Sequence, residues 1–376
     1  MRFFTFVIKN LVRRRFRSLL TIAGIGLAVG AMIALVGISR GFVDSFLELY
    51  QGRGIDLVVV RSGVAERLTS ALDESLGDKI RQLPGVKQVA GVMMDVMSFP
   101  ELNLFGVPIV GWEPDAFMFD NLKLVSGRSP TADDGRVVML GNILAKNMGK
   151  TTGDTLDVLE DEPFQIIGVF ESLSMVENGS MIVTLAELQR LMDRRGRVNM
   201  LNVIAENRFD EGSLEQLRSA ITAVAPGLSA MTTENFVTSD TQIRAARGMA
   251  WMTSLVALLI GSVGVLNTMV MSVFERTQEI GILRALGWRK SRVVRMILLE
   301  AILLSLGGAL LGAAGAVGLT RMLSRVPAFS GSIASHIPLP VIAQGFLIAL
   351  FLGLIGGLYP AVYGARLQPT EAIRHE

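Results

Sequence analysis

Four stretches of this chain hold no charged residue over a length sufficient to cross a bilayer: Ser18 to Ser39, Gly248 to Phe274, Ala301 to Thr320 and Ile337 to Gly364. About 20 apolar residues rising 1.5 Å each cover the roughly 30 Å of hydrocarbon. In that solvent each backbone amide must be satisfied within its own segment, so each run must be a helix. Half of the 376 residues are hydrophobic and 19% are charged, and the mean hydropathy is +0.47. The apolar residues collect into the four runs instead of recurring at core periodicity. The chain is therefore read as an integral membrane protein. The first run follows a basic N-terminus, as a secretory signal does. It is longer than the 7 to 15 residues of a signal h-region and lacks a clear small-residue cleavage site, so it is read as a retained span.

Charge by segment gives an orientation. Residues 1–17 hold six Lys/Arg and no acid, and residues 275–296 hold six Lys/Arg against Glu275 and Glu279. By the positive-inside rule both are expected in the cytoplasm, with the N- and C-termini inside. Residues 41–247 carry 19 Lys/Arg against 29 Asp/Glu, and are expected outside. The net charge of +2 conceals this asymmetry. The basic residues sit at membrane borders, which argues against a nucleic-acid partner. The absence of Cys excludes a disulfide scaffold, thiolate zinc or iron–sulfur sites and a thiol nucleophile.

The outer segment alternates in pattern. β-rich runs at 56–61, 86–99 and 105–112 flank a helical stretch from Ser70 to Leu83, and runs at 200–205 and 228–233 flank a helix from Glu211 to Val224. This reads as two βαβ halves with an insertion at about 104–195. The insertion has short strands at 137–140, 155–159, 164–170 and 181–184, then a helix from Leu185 to Arg194. The expected fold is an α-helical membrane protein with four transmembrane helices and a large, bilobal α+β extracytoplasmic domain between the first and second. Its segments are a basic N-terminal helix (1–17), spans at 18–39, 248–274, 297–320 and 337–364, the outer domain at 40–247, a cytoplasmic segment at 275–296, a short outer loop at 321–336 and a tail at 365–376. No strong breaker stands at 40–50 or 239–248, so the first two spans are expected to continue outward as stalk helices.

The cytoplasmic segment reads FERTQEIGILRALGWRKSRVVRMILLE, Phe274 to Glu300. On one helix Glu275 and Glu279 share a face, Ile280, Leu283 and Leu286 form an apolar stripe, and Gly287 is a C-terminal stop. Within it, ERTQEIGILRALG resembles the coupling segment of permeases of the MacB/FtsX superfamily, the transmembrane subunits of mechanotransmitting ABC transporters. Lys9 to Leu35 is similar to that family's basic elbow and first span, and Tyr359 to Glu376 to its terminal signature. Gly111 to Gly127, Val137 to Gly141, Gly153-Asp154 and Phe164 to Val169 are similar to its MacB-like periplasmic core. The resemblance covers nearly the whole chain.

That resemblance implies a permease dimer working with two copies of a cytoplasmic ABC ATPase. It makes Glu275, Arg276, Glu279, Ile280, Gly281, Arg284, Ala285, Leu286 and Gly287 the ATPase-coupling residues. These bind a partner and catalyse nothing. The other copy is expected to be a second identical chain or a paralogous permease, and a periplasmic adaptor and outer-membrane channel are possible further partners, in a bacterial inner membrane. ATP and Mg²⁺ are expected on the ATPase, and no cofactor or metal on this chain.

Other chemistry is poorly supported. Gly149-Lys150-Thr151 imitates the end of a P-loop, yet Leu144 stands where its first Gly would be. The nucleotide-binding domain is thus expected on a separate chain. The spans hold no ionisable group: Glu300 lies at the cytoplasmic edge of the third, and Asn267 is expected to hydrogen-bond a neighbouring helix. Gly26 and Gly30, Gly308 and Gly312, and Gly353 and Gly357 have GxxxG spacing, read either as a dimer seam or as packing within one chain. His336 and His375 fall on opposite sides of the membrane. Met93, Met94 and Met97 read as strand packing or an adaptable apolar surface, and Asp133-Asp134 and Glu160-Asp161-Glu162 as solvated loops. The functional expectation is an exporter or extractor of a bulky or amphiphilic substrate: drug, lipid, lipopeptide, lipoprotein or heme-like. The alternative is an FtsX-like regulator that activates an extracytoplasmic enzyme, such as a cell-wall hydrolase, and transports nothing.

Overall fold

The computed structural model describes residues 12–13, 15–63, 70–159, 162–172, 174–207, 210–324, 326 and 337–367. His336, His375, Glu160, Asp161 and, of the terminal resemblances, residues 9–11, 14 and 368–376 lie outside the described residues. Two compact units result, one drawn from 1–40, 247–321 and 335–376, the other from 41–246 and 322–334.

The first unit is helical. Four helices are long and apolar enough to cross a membrane: α1 (Arg15–Gly52), α8 (Thr241–Phe274), α10 (Lys290–Leu323) and α11 (Leu339–Arg366). A short helix, α9 (Thr277–Ala285), separates α8 from α10. At 38 residues, α1 is roughly 57 Å long, well beyond one bilayer crossing. Its C-terminal end and the start of α8 belong to the second unit. The buried core of the helical unit includes Ile25, Val29, Met32 and Ile33 of α1, Val265 and Met269 of α8, Met296, Ile297 and Leu304 of α10 and Val341 of α11.

Lipid tails are as apolar as leucine, so helices here gain little from hydrophobic sequestration and associate through close packing. The glycine motifs supply it. A Cβ on Gly30 would lie 2.9 Å from the carbonyl oxygen of Gly312, and one on Gly312 would lie 2.5 Å from that of Gly26. Gly353 sits against Ser305, and Gly357 against Ala301. All three GxxxG pairs therefore pack against helices of the same chain. Asn267 departs from expectation: it is exposed on α8 and has no hydrogen-bond partner among the described residues.

The second unit is built on a ten-stranded sheet with order β12-β1-β11-β3-β4-β9-β6-β8-β5, with β7 beside β8. The strands are β1 (Leu57–Arg61), β3 (Val86–Phe99), β4 (Leu104–Trp112), β5 (Lys123–Gly127), β6 (Val137–Gly141), β7 (Thr155–Leu159), β8 (Glu162–Glu171), β9 (Met181–Thr184), β11 (Met200–Ala205) and β12 (Leu228–Thr232). A two-residue pair, β2 (Leu72–Asp73) with β10 (Arg197–Val198), lies apart. The two βαβ halves interleave: β11 lies between β1 and β3, and β1 between β11 and β12, the split βαβ arrangement. Strand β4 pairs with β3 from Val92 opposite Trp112 to Phe99 opposite Leu104, so the inserted strands extend the same sheet. The expected lobes thus share one sheet.

Alternation along the strands sends residues to two faces. Leu57 and Val59 join one core and Val58 the other. The first face is covered by α2 (Leu76–Arg81), α3 (Asn142–Met148), α5 (Leu185–Leu191) and α6 (Glu211–Val224). The second is covered by the end of α1 through Val43 and Tyr50, by α7 (Thr233–Ser239), and by Ile243 of α8. The helix expected from Ser70 begins only at Leu76, because Asp73 accepts hydrogen bonds from the backbone N–H and hydroxyl of Ser75 and folds the preceding residues into a turn. The helix from Leu185 stops at Leu191, shortly before Asp193 at φ 51°.

Replacing Gly312 with Val forces a side chain against the Gly26 and Gly30 backbones. It should destabilise the helical unit by about 1–3 kcal/mol, whereas Gly315→Ala, with nothing within 4 Å of the added Cβ, should be near neutral. Thermal unfolding of the detergent-solubilised variants measures the contrast.

Candidate functional site

The backbone first decides which of the expected coupling residues share an element. Helix α8 ends at Phe274, Glu275 and Arg276 form a turn, and α9 runs only from Thr277 to Ala285. Glu275 and Glu279 therefore do not share a helical face. Gly287 adopts φ +91°, a left-handed conformation that suits glycine and ends α9. Residues from Lys290 onward belong to α10, so the segment between α8 and α10 divides into a short helix and the start of the third long one.

Burial then sorts the side chains. Arg276 is 6% exposed, and its Nη1 donates to Glu300 Oε2 at 2.8 Å. Ile280 is 2% exposed and Gly281 is buried. Gly364 at the end of α11 comes near Ile280, Val273 and Ile297. Arg276, Ile280 and Gly281 are thus internal, holding α9 on the helical unit. Glu275 pairs with Arg17, and Glu279 lies 3.8 Å from Arg13. Both acids therefore meet the basic segment that precedes the first span. Arg284 Nη1 donates to the Trp288 carbonyl at 3.4 Å, and Arg292 stacks 4.5 Å over the Trp288 ring.

The outward face is different from the expected stripe. Ile280 points in, Leu283 is half-buried, and Leu286 is 75% exposed. Residues three apart drift around a helix by about 60° each step, so 280, 283 and 286 cannot all face one way. The exposed set is Gln278, Glu279, Ile282, Ala285 and Leu286, following i, i+4 and i+7 from 278. Ile282, 52% exposed, was not legible as a surface residue; its spacing from Leu286 was the available signal. An acid-edged apolar patch on a fixed short helix can bind a partner and has no group suited to bond making.

Among the described residues, the second unit holds no better catalytic candidate. Gly149 follows the C-terminus of α3 at φ +65°, and the Lys150 ammonium donates to the Thr155 carbonyl at 2.6 Å. A phosphate site needs the opposite, N-terminal end of a helix. Met93 is in the core, and Met97 packs partly against it. Asp134 accepts from both terminal nitrogens of Arg128, which holds its carboxyl below the usual range. Glu162 binds Arg190 through two nitrogens. No group of three His, Asp or Glu able to hold a metal occurs among the described residues. A wide polar cleft near Glu74, Asp78 and Asp115 contains Glu113, whose carboxyl is pushed up by burial and then by the Asp115 charge.

With the geometry in place, comparison with known proteins assigns the class. Residues 18–224 match the model of the MacB-like periplasmic core domain, and 251–369 match that of the FtsX-like permease C-terminal region. The chain belongs to this family, as an ABC transporter permease of the MacB/FtsX class. It is 27% identical to an uncharacterized ABC transporter permease, YknZ, of Bacillus subtilis, covering 98% of each chain. It is 28% identical to the macrolide export ATP-binding/permease protein MacB of Sodalis glossinidius, covering 98% of this chain and 60% of that one. The crystal structure of the periplasmic region of MacB from Actinobacillus actinomycetemcomitans aligns at 17% identity and a TM-score of 0.37, covering 52% of this chain and 96% of that one.

Two predictions follow from the buried groups. Removing one partner of a buried ion pair strands the other charge, so Glu300→Leu should cost about 3–5 kcal/mol, and Arg276→Leu with Glu300→Leu should recover most of it; a double-mutant cycle on thermal unfolding reads the coupling. Because Glu113 is raised in the folded state, its contribution is present below its ordinary range and lost as pH rises through the raised value. Glu113→Gln should therefore be more stable than the parent at neutral pH, with the difference vanishing on acidification.

Proposed function

We propose that this chain is the transmembrane permease subunit of an export system driven by a separate cytoplasmic ABC ATPase, in a bacterial inner membrane with both termini inside. The observation that carries this reading is the exposed face of α9. Ile282, Ala285 and Leu286 are turned outward while Arg276 and Ile280 fix the opposite side. A partner seated on that face moves a helix that is already locked to the spans. ATP and Mg²⁺ belong to the ATPase, two copies of which serve a permease dimer. This chain contributes differential binding between two states and no covalent step.

The dimer is proposed to form along α8. Met252, Leu255, Leu259, Val263 and Asn267 are exposed there, and an amide in hydrocarbon is costly unless paired. An amide donates and accepts, so Asn267 suits a two-fold contact with its own copy. The substrate is proposed to be amphiphilic or bulky, handled on the outer side.

Replacing Leu286 with Asp, or Glu279 with Lys, should weaken retention of the ATPase by about tenfold or more while leaving membrane insertion and unfolding temperature unchanged. Co-purification from the native host, followed by an ATP hydrolysis assay, measures this. Recovery of an ATPase with an adaptor or outer-membrane channel supports export; recovery with a wall hydrolase supports the regulatory alternative. Undiminished retention in both variants would contradict the docking assignment.

A further inference from the structure

Within the outer unit, a cavity of about 50 Å³ lies between the end of α1 and the second face of the sheet. Its rim is apolar and half-buried: Phe46 and Leu49 of α1, Met94 of β3, Pro108 of β4, and Val176 of the short helix α4 (Met175–Asn178). Its lining also includes three fully or nearly fully buried polar residues, Arg53, Trp112 and Asn202, exposed by 6%, 1% and 1%.

Those three residues are incompletely satisfied. Arg53 Nε, Trp112 Nε1 and Asn202 Oδ1 are three of the six buried side-chain polar atoms that lack a hydrogen-bond partner among the described residues. A buried donor or acceptor without a partner forfeits its hydration, so native proteins leave few of them. Finding half of them around one cavity marks a site built for something that fills it. The unpaired groups on these lining residues are two N–H donors and one acceptor oxygen.

Charge narrows the occupant. Arg53 Nη2 lies 2.5 Å from Glu177 Oε1, both side chains are at most 5% exposed, and Ser172 donates to the other Glu177 oxygen. The guanidinium carbon rests 4.7 Å over the Trp112 ring. Arg53 is thus already neutralised, and an entering anion would be buried without a counter-charge. A neutral acceptor meets the free N–H groups at no such cost. One water needs about 10–15 Å³ of this kind of space, so the cavity admits a few non-hydrogen atoms, and the apolar rim suits an alkyl portion that extends beyond it.

We propose that this cavity binds the carbonyl-bearing end of a neutral amphiphile, an acyl ester or amide, whose alkyl part lies across the rim. The site does not depend on α9 or on any ATPase, so its test stands apart from the docking assignment.

Trp112 serves as the reporter. The chain has three tryptophans, and Trp251→Phe with Trp288→Phe leaves Trp112 alone in the full-length protein. The probes are the glycerol monoester of 2-bromododecanoic acid, the free 2-bromododecanoate ion, and 1-bromododecane. The ester should quench Trp112 saturably at a concentration about tenfold below the other two. Val176→Phe, at a half-buried rim position, should abolish the saturable component. Glu177→Gln, which removes the counter-charge of Arg53, should reverse the order so that the carboxylate binds tighter. Saturation in detergent that weakens about tenfold in dioleoylphosphatidylcholine vesicles identifies a membrane acyl lipid as the competing occupant; equal affinity in both identifies a soluble acyl compound. The proposal is overturned if quenching is not saturable, which means water alone fills the cavity, if bromododecane matches the ester, or if the carboxylate is preferred in the unmodified site. Should Glu177→Gln fail to fold, the ester preference and its loss in Val176→Phe still decide the matter.

Discussion

A charge pair removed from water determines where the short helix α9 lies. Arg276 stands in the turn after α8, Glu300 on α10, and their contact at 2.8 Å is almost wholly buried. Such a pair contributes little net stability, because desolvation offsets the attraction, but neither charge tolerates the other's absence. Its consequence is positional. The turn between α8 and α9 is tied to α10, Ile280 is drawn into the helical core, and the remaining face of α9, with Ile282 and Leu286, is left outward. The glycine contacts between α1 and α10 bring those helices close enough for the same core to include all four long helices.

Much of this architecture was legible in the sequence, because a bilayer demands long uncharged runs and a half-buried strand demands alternation. The four spans and the helix from Glu211 to Val224 follow from those demands. Side-chain-to-backbone competition was harder to read. Asp73 capturing Ser75 shortened one helix, and short helices such as Asn142–Met148 lack enough turns to show a period. The continuity of the sheet across the insertion was hidden as well, since pairing between β3 and β4 is a matter of register that no local pattern states.

In the segment that resembles the family's coupling motif, the structure divides what the sequence presents as one run. Residues resembling one motif serve two purposes: Arg276, Ile280 and Gly281 face the spans, whereas Glu279, Ala285 and Leu286 face away. A motif cannot reveal that division, because helix phase depends on where the helix starts, and α9 starts after Arg276 instead of continuing from α8. The GxxxG motifs posed the same kind of ambiguity, between seams within and between chains. Gly30 approaches Gly312 and Gly357 approaches Ala301 within one chain, a pairing that the spacing of the glycines does not itself specify.

The central claim is that α9 presents one face to an ATPase and the other to the spans. Site-specific photo-crosslinking in the native host tests it most directly, with the crosslinker placed in turn at Leu286, Ile282 and Ile280. The account predicts adducts from positions 286 and 282 with a single protein that carries a phosphate-cradling P-loop and hydrolyses ATP, and none with that protein from position 280. Equal adducts from all three positions, or adducts that never include an ATPase, would contradict it.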